Sequence, residues 1–407
     1  MVSTEYPPMR GGVGRYTAKL VQALRKTGNG ILVDVVCNED GKGEFTGISP
    51  SNERNSDVLL KIVEEQSQPD VVHVQFEPGL YGLMLYSAKL SASRTFIDDF
   101  YYRCKVPIVT TFHSAYTLKE WMGQAMRVKH DGRIGKLGIP LRAAVTTWRR
   151  LVTYKAFHDI NKEKLKLSNA GICFSKYMSR RIGGGYVIYH GADPAISPPV
   201  SKAKAREMMS LPQDKMISVA IGFSTATKGW DILSKIVMPN GWTMVLNSSK
   251  GHFNREQNLA YDNPERRKRR RNPNNGNTPK VIDLQKGFLT DEELSVLFYA
   301  SDVVVLPYKI TSGSGVMFDG LAHTVPFVAS DLDFFKEFEK MGLGITAKRD
   351  PVSFSRAIDN LGKTYEKYSS AVDNFRQQLT WEYVANQHLE IYDRAMREKR
   401  AGTFPTN

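Results

Sequence analysis

Short apolar runs alternate along the chain with longer segments that have apolar residues at helical spacing. The runs near residues 71, 106, 216 and 303 are rich in β-branched side chains. Such runs are typical of strands buried on both faces of a parallel sheet. Because helical segments follow these strands, the pattern predicts an α/β protein with doubly wound parallel sheets.

The clearest unit of this kind is residues 303–331, where an apolar strand, a loop, a helix and a second strand follow one another. A helix is predicted to begin near Val316. Backbone N–H groups and the positive end of a helix dipole favour an anion at such a start, and glycine lets a phosphate approach the backbone. The loop sequence therefore suits a phosphate site, although Gly-Ser-Gly alone is more typical of an ordinary flexible loop. It consists of Thr311, Ser312, Gly313, Ser314 and Gly315.

Polar residues stand at the ends of two other predicted strands, residues 70–77 and 106–113. Gln75 and Glu77 end the first strand, and His113 ends the second. Ligands collect at the carboxyl ends of the strands in a parallel sheet. We therefore expect these three side chains to face a binding cleft.

Glycines also mark the ends of two further predicted strands. The loop of residues 11–14 includes Gly12 and Gly14 and precedes Arg15 and a helix with an apolar face. Gly222 follows the predicted strand 216–221, and Lys228 stands a few residues later. A lysine near a strand end suits an anionic ligand better than a purely solvated position.

The length of 407 residues is too great for one typical core, and the 41% apolar content is enough for two. A stiff, proline-containing segment at residues 196–200 predicts a linker. The predicted domains are residues 1–197, with a basic insertion at about 118–167, and residues 198–380, with a basic loop at about 250–280. A final helix, residues 381–407, is expected to cross back to the first domain.

The charge balance indicates a polyanionic neighbour, because 56 Lys and Arg exceed 42 Asp and Glu to give a net charge of +14. Nucleic acid and an anionic membrane surface are both candidates. The run Arg266–Arg271 contains no aromatic residues for stacking on bases, which makes nucleic acid the weaker candidate. The insertion at 118–167 mixes apolar and basic residues, so it suits either a helix in a membrane interface or a helix packed on its own domain.

Three widely spaced cysteines exclude a disulfide framework and a cysteine zinc site, which favours a cytoplasmic protein. No run approaches 18 apolar residues, so we expect a soluble or peripherally attached protein.

The segment 303–331 resembles the donor-binding segment of the retaining family-4 glycosyltransferases of GT-B fold. Its Pro-Tyr pair, Gly/Ser loop, Gly-Leu-Ala and Val-Pro-Phe-Val-Ala-Ser carry the resemblance. The glycine loop at 11–14, the Thr-x-His at 111–113, the strand and turn at 186–194 and the helix starting at Trp381 extend it over nearly the whole chain. The resemblance implies two Rossmann-like domains that face a central cleft, the first binding an acceptor and the second a nucleotide sugar.

The resemblance also implies roles for individual residues. His113, Lys228 and Asp319 would be catalytic. In the family's E-x7-E motif the second acid binds the ribose and the first contacts the transferred sugar; these positions are Asp319 and Thr311 here. The implied donor-binding residues are Gly12, Gly14, Gly222, Lys228, Thr311, Ser312, Gly313, Ser314, Gly315, Val316 and Asp319. The implied acceptor-binding residues are Gly12, Arg15, Gln75, Glu77 and His113.

The implied reaction is transfer of a hexose from a UDP- or GDP-sugar to a lipid-linked or polysaccharide acceptor, with retention at the anomeric carbon. No cofactor and no metal are expected, and the enzyme would work in the cytoplasm or at the inner face of the cell membrane. Two alternatives stay open. The loss of the first acid at Thr311 suits a sugar-nucleotide epimerase of GT-B fold, and the basic charge suits a nucleic-acid-binding protein.

Overall fold

The computed structural model describes residues 1–28, 30–82, 94–123, 139–249 and 280–400. They belong to two compact units, each described by itself below. The first unit is Met1–Tyr189 with Ala385–Asn407, and the second is His190–Val384. Residues 124–138 of the predicted basic insertion, and the predicted basic loop up to residue 279, lie outside the described residues.

Parallel strands form the centre of the first unit. Four strands pair in the order β3, β4, β5, β6, and β1 pairs with β2. Val2 makes single parallel bridges to Val36 and Val74, so it lies between the two groups. All residues of β3, β4 and β5 are buried, as their apolar pattern predicts. The strands are β1 (Val36–Cys37), β2 (Phe45–Thr46), β3 (Val72–Phe76), β4 (Ile108–Phe112), β5 (Ala170–Cys173) and β6 (Tyr186–Val187).

Helices connect these strands. They are α1 (Gly12–Lys26), α2 (Asn55–Lys61), α3 (Asp98–Arg103), α4 (Leu118–Gly123), α5 (Ile139–Leu167) and α6 (Lys176–Ile182). A π-helical turn, Ile62–Ser67, continues α2, and a 3-10 turn, Pro78–Tyr81, follows β3. Across the described part of the chain, no helix has both the length and the apolar character needed to span a bilayer.

One predicted strand of the first unit is shorter than expected. The pattern at residues 31–37 predicts a strand, whereas β1 contains only Val36 and Cys37. Side chains form hydrogen bonds with backbone groups that would pair with a neighbouring strand if β1 were longer. The Val35 amide donates to the Glu44 carboxylate at 2.8 Å, and the Arg25 guanidinium donates to the Val33 carbonyl.

The second unit contains six parallel strands in the order β12, β11, β10, β7, β8, β9. The apolar strand predicted at residues 303–306 is β10, in the middle of this sheet. The strands are β7 (Met216–Phe223), β8 (Trp242–Ser249), β9 (Val281–Asp283), β10 (Val303–Leu306), β11 (Phe327–Ser330) and β12 (Gly344–Ala347).

Helices cover this sheet as well. They are α7 (Lys202–Met208), α8 (Trp230–Leu233), α9 (Asp291–Ala300), α10 (Gly315–Ala322), α11 (Asp333–Glu339), α12 (Pro351–Lys363), α13 (Tyr365–Phe375) and α14 (Trp381–Arg400), with 3-10 turns at Ala226–Lys228 and Arg376–Leu379. From Ala385 onward, α14 belongs to the first unit. A capping box begins α9, because Thr290 and Glu293 each accept a hydrogen bond from the other's backbone N–H.

Candidate active site

The strand order of the second unit creates a crevice between β7 and β10. These two strands are neighbours, with Val304 beside Val219. The chain continues from β7 to β8 and β9 on one side, whereas β11 and β12 lie on the other side of β10. The loops after β7 and β10 therefore diverge from a shared edge, and parallel sheets bind ligands at such a switch point.

Close backbone contact holds these two loops together. Gly229 has φ of +70°, and a methyl group built on it would lie 1.8 Å from the carbonyl oxygen of Pro307. The Lys309 amide donates to the Thr227 carbonyl at 2.8 Å. Only glycine fits at position 229, for reasons of both conformation and space. The contact fixes the backbone of Lys228 beside the loop that follows β10.

Lys228 and the start of α10 meet at one aromatic ring. The Lys228 ammonium nitrogen lies 3.7 Å from the centre of the Tyr308 ring. The Ser314 hydroxyl donates to the Tyr308 hydroxyl at 3.4 Å, and it accepts from the Met317 amide at 3.2 Å as the N-cap of α10. The structure thus brings the predicted lysine and the predicted helix start together. A cation, a hydroxyl and helix-start amides provide an electropositive site for an anion.

The remaining residues predicted to bind the sugar donor lie either in the loop after β10 or in helix α10. The Thr311 hydroxyl donates to the Gly313 carbonyl at 2.6 Å and accepts from the Gly313 amide at 3.3 Å, so it shapes the loop. Ser312 is buried, and Val316 occupies the first turn of α10. Asp319 is also buried, four residues after Gly315 and hence on the same helix face.

Gly222 lies near the carboxyl end of β7 with φ of +137°. A methyl group built there would meet no atom within 4 Å. The position is therefore open, at the same edge of the sheet as Lys228.

The predicted residues of the first unit gather at the carboxyl edge of its sheet. Gln75 pairs with Thr111 in the register of β3 and β4, which brings His113 beside Gln75. His113 Nε2 lies 2.9 Å from Gln75 Oε1. The imidazole packs edge-on against Tyr16 and Phe174, with ring centres 5.4 and 5.1 Å away. Gln75 and two aromatic rings thus help to hold the His113 imidazole.

The glycine segment at 11–14, where α1 begins, binds a carboxylate of the protein itself. Glu5 Oε2 accepts from the Val13 and Gly14 amides, both at 3.1 Å. A methyl group on Gly11 would lie 1.7 Å from the Glu5 carboxyl carbon, whereas one on Gly12 would meet no atom within 4 Å. The sequence predicts donor binding by Gly12 and Gly14. The structure shows that the Gly14 amide already donates to a carboxylate.

Glu77 follows β3 and is partly buried. Burial raises the pKa of its carboxyl to about 7, and the nearby Glu5 carboxylate adds to this increase. At neutral pH the group is therefore divided between its acid form, which donates a hydrogen bond, and its anionic form, which only accepts. Arg15 lies in the first turn of α1 and is partly exposed.

Comparisons with known proteins relate part of the chain to one family and the whole chain to one fold. Residues 10–195 match the family model of Glycosyltransferase Family 4. Sucrose-phosphate synthase from Thermosynechococcus elongatus is 18% identical over 99% of this chain and 98% of its own, with a TM-score of 0.66. No curated protein sequence matches this chain.

Two further solved structures cover nearly the whole chain. HepE from Anabaena, in complex with UDP and glucose, is 14% identical over 96% of this chain and 98% of its own, with a TM-score of 0.61. The catalytic domain of starch synthase IV from Arabidopsis thaliana, bound to ADP and acarbose, is 14% identical over 97% and 98%, with a TM-score of 0.57. At these identities the likeness to solved structures shows the fold.

The chain has the GT-B fold, and residues 10–195, slightly less than half of its length, match a glycosyltransferase family. The predicted fold class is thereby confirmed, and the family match agrees with the predicted resemblance. The roles predicted for single residues stay predictions, although the structure groups them at the carboxyl edges of the two sheets.

One residue beside the α10 site was not assigned from the sequence. His190 stacks on Phe318 with ring centres 5.7 Å apart and planes 7° apart. Its Nδ1 lies 2.8 Å from the Gly191 carbonyl oxygen and so donates to it. A methyl group built on Gly315 would lie 3.4 Å from His190 Nε2. The sequence signal for this residue is that His190 stands where the resembled family has asparagine in its strand-and-turn segment.

A second residue missed from the sequence is His73, which lies within β3 and is buried. Its neighbours in sequence are apolar, which predicts a core position. In the structure it contacts Gln75 and Thr111, so it belongs to the polar group behind His113.

Proposed function

We propose that this protein is a glycosyltransferase that transfers a hexose from a nucleoside-diphosphate sugar to a lipid-linked or polysaccharide acceptor. We further propose that the transfer retains the anomeric configuration and needs no metal ion. The observation that carries the proposal is the placement of Lys228 beside the start of α10, at the crevice between β7 and β10. A diphosphate matches this combination of a cation, a hydroxyl and helix-start amides.

The same groups suit the departure of the diphosphate. In the reaction, the bond between the anomeric carbon and the diphosphate oxygen breaks, and negative charge grows on the leaving group. Lys228 and the amides at the start of α10 are positioned to stabilise that charge. Such preorganised groups typically contribute a few kcal/mol each. Because they supply positive charge themselves, the proposal does not require a metal ion.

The nucleoside is proposed to contact Asp319. A carboxylate can accept hydrogen bonds from both ribose hydroxyls. Asp319 lies one helical turn after Gly315, where the phosphates are proposed to bind. The UDP and glucose in HepE and the ADP in starch synthase IV support a nucleotide sugar as donor.

The acceptor is proposed to bind at the first unit, with Gly12, Arg15, Glu77 and His113 in contact with it. Carbohydrate hydroxyls need both donors and acceptors, and Glu77 supplies both near pH 7. Gln75 is already bonded to His113 and to the buried His73. We therefore propose that Gln75 affects acceptor binding through His113.

A lipid-linked acceptor is supported by the surface of α5. Leu141, Trp148 and Leu151 are exposed, and their spacing of seven and three residues puts them on one face of the helix. Arg149 and the exposed Lys155 lie beside this face. Apolar side chains flanked by cations suit an anionic lipid surface. The proposal therefore locates the enzyme in the cytoplasm at the inner face of the cell membrane.

Product analysis tests this function. The full chain is incubated with UDP-, GDP- and ADP-hexoses and with lipid or oligosaccharide acceptors, in the presence of EDTA, and the products are examined by NMR. We expect a glycoside with the anomeric configuration of the donor, released together with one equivalent of nucleoside diphosphate. An inverted product would overturn retention, and EDTA inhibition would overturn metal independence. An epimerised nucleotide sugar without a glycoside would identify an epimerase instead.

A further inference from the structure

A chain of buried polar side chains lies behind His113 in the first unit. His113 Nε2 is 2.9 Å from Gln75 Oε1, and Gln75 Nε2 is 3.3 Å from His73 Nε2. His73 Nε2 is also 2.7 Å from the Thr111 hydroxyl, and His73 Nδ1 is 2.6 Å from the Tyr392 hydroxyl. The chain thus runs from a strand end to the C-terminal helix.

The orientation of the Gln75 amide in the structure determines the protons along this chain. Its carbonyl oxygen points to His113 and can only accept, so His113 carries its proton on Nε2. The Gln75 NH2 group then donates to His73 Nε2, whose single lone pair the Thr111 hydroxyl also approaches. The proton of neutral His73 is on Nδ1, where it donates to the Tyr392 oxygen. Each of these three N–H donors meets an acceptor.

Burial keeps His73 neutral, as this pattern requires. Desolvation lowers the pKa of His73 well below its usual value, and the nearby His388 and His113 lower it in the same direction. A charged His73 would donate from both nitrogens and would oppose the NH2 group of Gln75. The neutral ring can accept at Nε2 from the Gln75 NH2 group, as the orientation of that amide in the structure requires.

The C-terminal helix is also linked to His113 through Tyr16. His388 Nε2 lies 3.4 Å from the Tyr16 hydroxyl, and the Tyr16 ring packs edge-on against His113. His388 and Tyr392 are four residues apart and so share one face of α14. Both belong to the part of α14 that is assigned to the first unit.

We propose that Gln75 is a positioning residue that holds His113 with its proton on Nε2, and that His73 with Tyr392 of the C-terminal helix fixes Gln75 in turn. The last helix is thus a component of the His113 site. In this proposal Gln75 orients His113 and does not itself bind the acceptor. The inference deepens the proposed function and rests on it for the statement that His113 touches the reacting groups.

The wild-type tautomer gives the first test. The chain contains eight histidines, and a His113→Asn variant identifies the His113 ring signals in long-range 1H–15N NMR spectra. We expect neutral His113 to carry its proton on Nε2. A proton on Nδ1 would overturn the inference, and no substitution of the buried Gln75 is needed for this result.

Two variants test the coupling. Gln75→Glu puts an anion beside His113, and an adjacent carboxylate raises the pKa of a histidine by about 1 or more. Tyr392→Phe removes the acceptor for His73 Nδ1–H while it keeps the ring, and it should shift the His113 signals. Tyr383→Phe is the control, because Tyr383 is an exposed residue of the same helix.

The outcomes separate the two proposals. Unchanged His113 signals and pKa in both variants would overturn the positioning role. If both variants move the His113 signals and also lower kcat, the positioning role and the proposed function stand together. If the signals move while turnover stays at the wild-type rate, Gln75 positions His113, but His113 has no part in the reaction.

Discussion

The ammonium nitrogen of Lys228 lies 3.7 Å from the centre of the Tyr308 ring, and this contact joins loops that follow two neighbouring strands. Lys228 comes from the loop after β7, and Tyr308 from the loop after β10. The Tyr308 hydroxyl in turn contacts Ser314 at the start of α10. A single aromatic ring therefore sets the position of the cation relative to the helix-start amides. The predictions below follow from this and related contacts.

Gly229→Ala should destabilise the protein and reduce donor binding, because the new methyl group would collide with the Pro307 carbonyl. Gly241→Ala is the control. Gly241 also has positive φ, at +81°, but a methyl group there meets no atom within 4 Å. The control should lose about 1–2 kcal/mol of unfolding free energy, and Gly229→Ala at least ~1 kcal/mol more. Equal losses in urea denaturation would show that the close approach of the loops has no energetic effect.

Glu5→Ala should lower the free energy of unfolding by about 1–2 kcal/mol, because two amides at the start of α1 lose their acceptor. Glu5→Gln keeps an oxygen acceptor but loses the charge, so a smaller loss of about 0.5–1 kcal/mol is expected. Glu39→Gln, at an exposed position, serves as the control. Urea denaturation measures all three. An unchanged Glu5→Ala stability would contradict the capping role of this carboxylate.

Glu77 should make the protein less stable as pH rises from about 4.5 to 7. Its pKa is raised to about 7 in the folded protein, so the folded state binds more protons than the unfolded state in this range. The loss then levels off above pH 7, and it is at most ~3 kcal/mol. Glu77→Gln should remove this slope. Chemical denaturation at pH 5, 6, 7 and 8 compares the two proteins, and parallel curves would refute the assignment.

Trp148→Ala should weaken binding to vesicles that contain anionic phosphatidylglycerol, because it removes the largest exposed apolar side chain of α5. Tyr102→Ala is the control, since Tyr102 is an equally exposed aromatic residue on α3. Co-sedimentation with anionic and with neutral vesicles measures binding. A loss of binding in the control that matches the loss in Trp148→Ala would contradict a membrane role for the α5 face.

Local patterns allowed much of this structure to be predicted. The apolar run at Val303–Leu306 is a buried central strand, and the helix predicted to begin near Val316 begins at Gly315. The family resemblance implied that Lys228 contacts the donor phosphates, and both Lys228 and the loop at 311–315 follow strands of one parallel sheet. These features depend on residues close in sequence, or on the general rule for strand ends.

Contacts between distant residues could not be predicted in the same way. Tyr392 meets His73 across 319 residues, and nothing in either local sequence indicates that contact. Glu5 looked like part of a strand end, but a turn of the chain brings its carboxylate back to the amides of Val13 and Gly14. The order of Glu5 before a glycine loop carries no signal for this return. Tertiary packing determines both contacts.

The most direct test of the proposed donor site is the affinity for UDP, GDP and ADP of three proteins, measured by calorimetry: wild type, Lys228→Ala and Lys235→Ala. Lys235 is an exposed lysine of the same unit and controls for a general loss of positive charge. We expect at least one nucleotide to bind the wild type and the control equally. Lys228→Ala should bind it about 10- to 100-fold more weakly. Affinities of Lys228→Ala within twofold of wild type for every nucleotide would contradict a diphosphate site beside Tyr308.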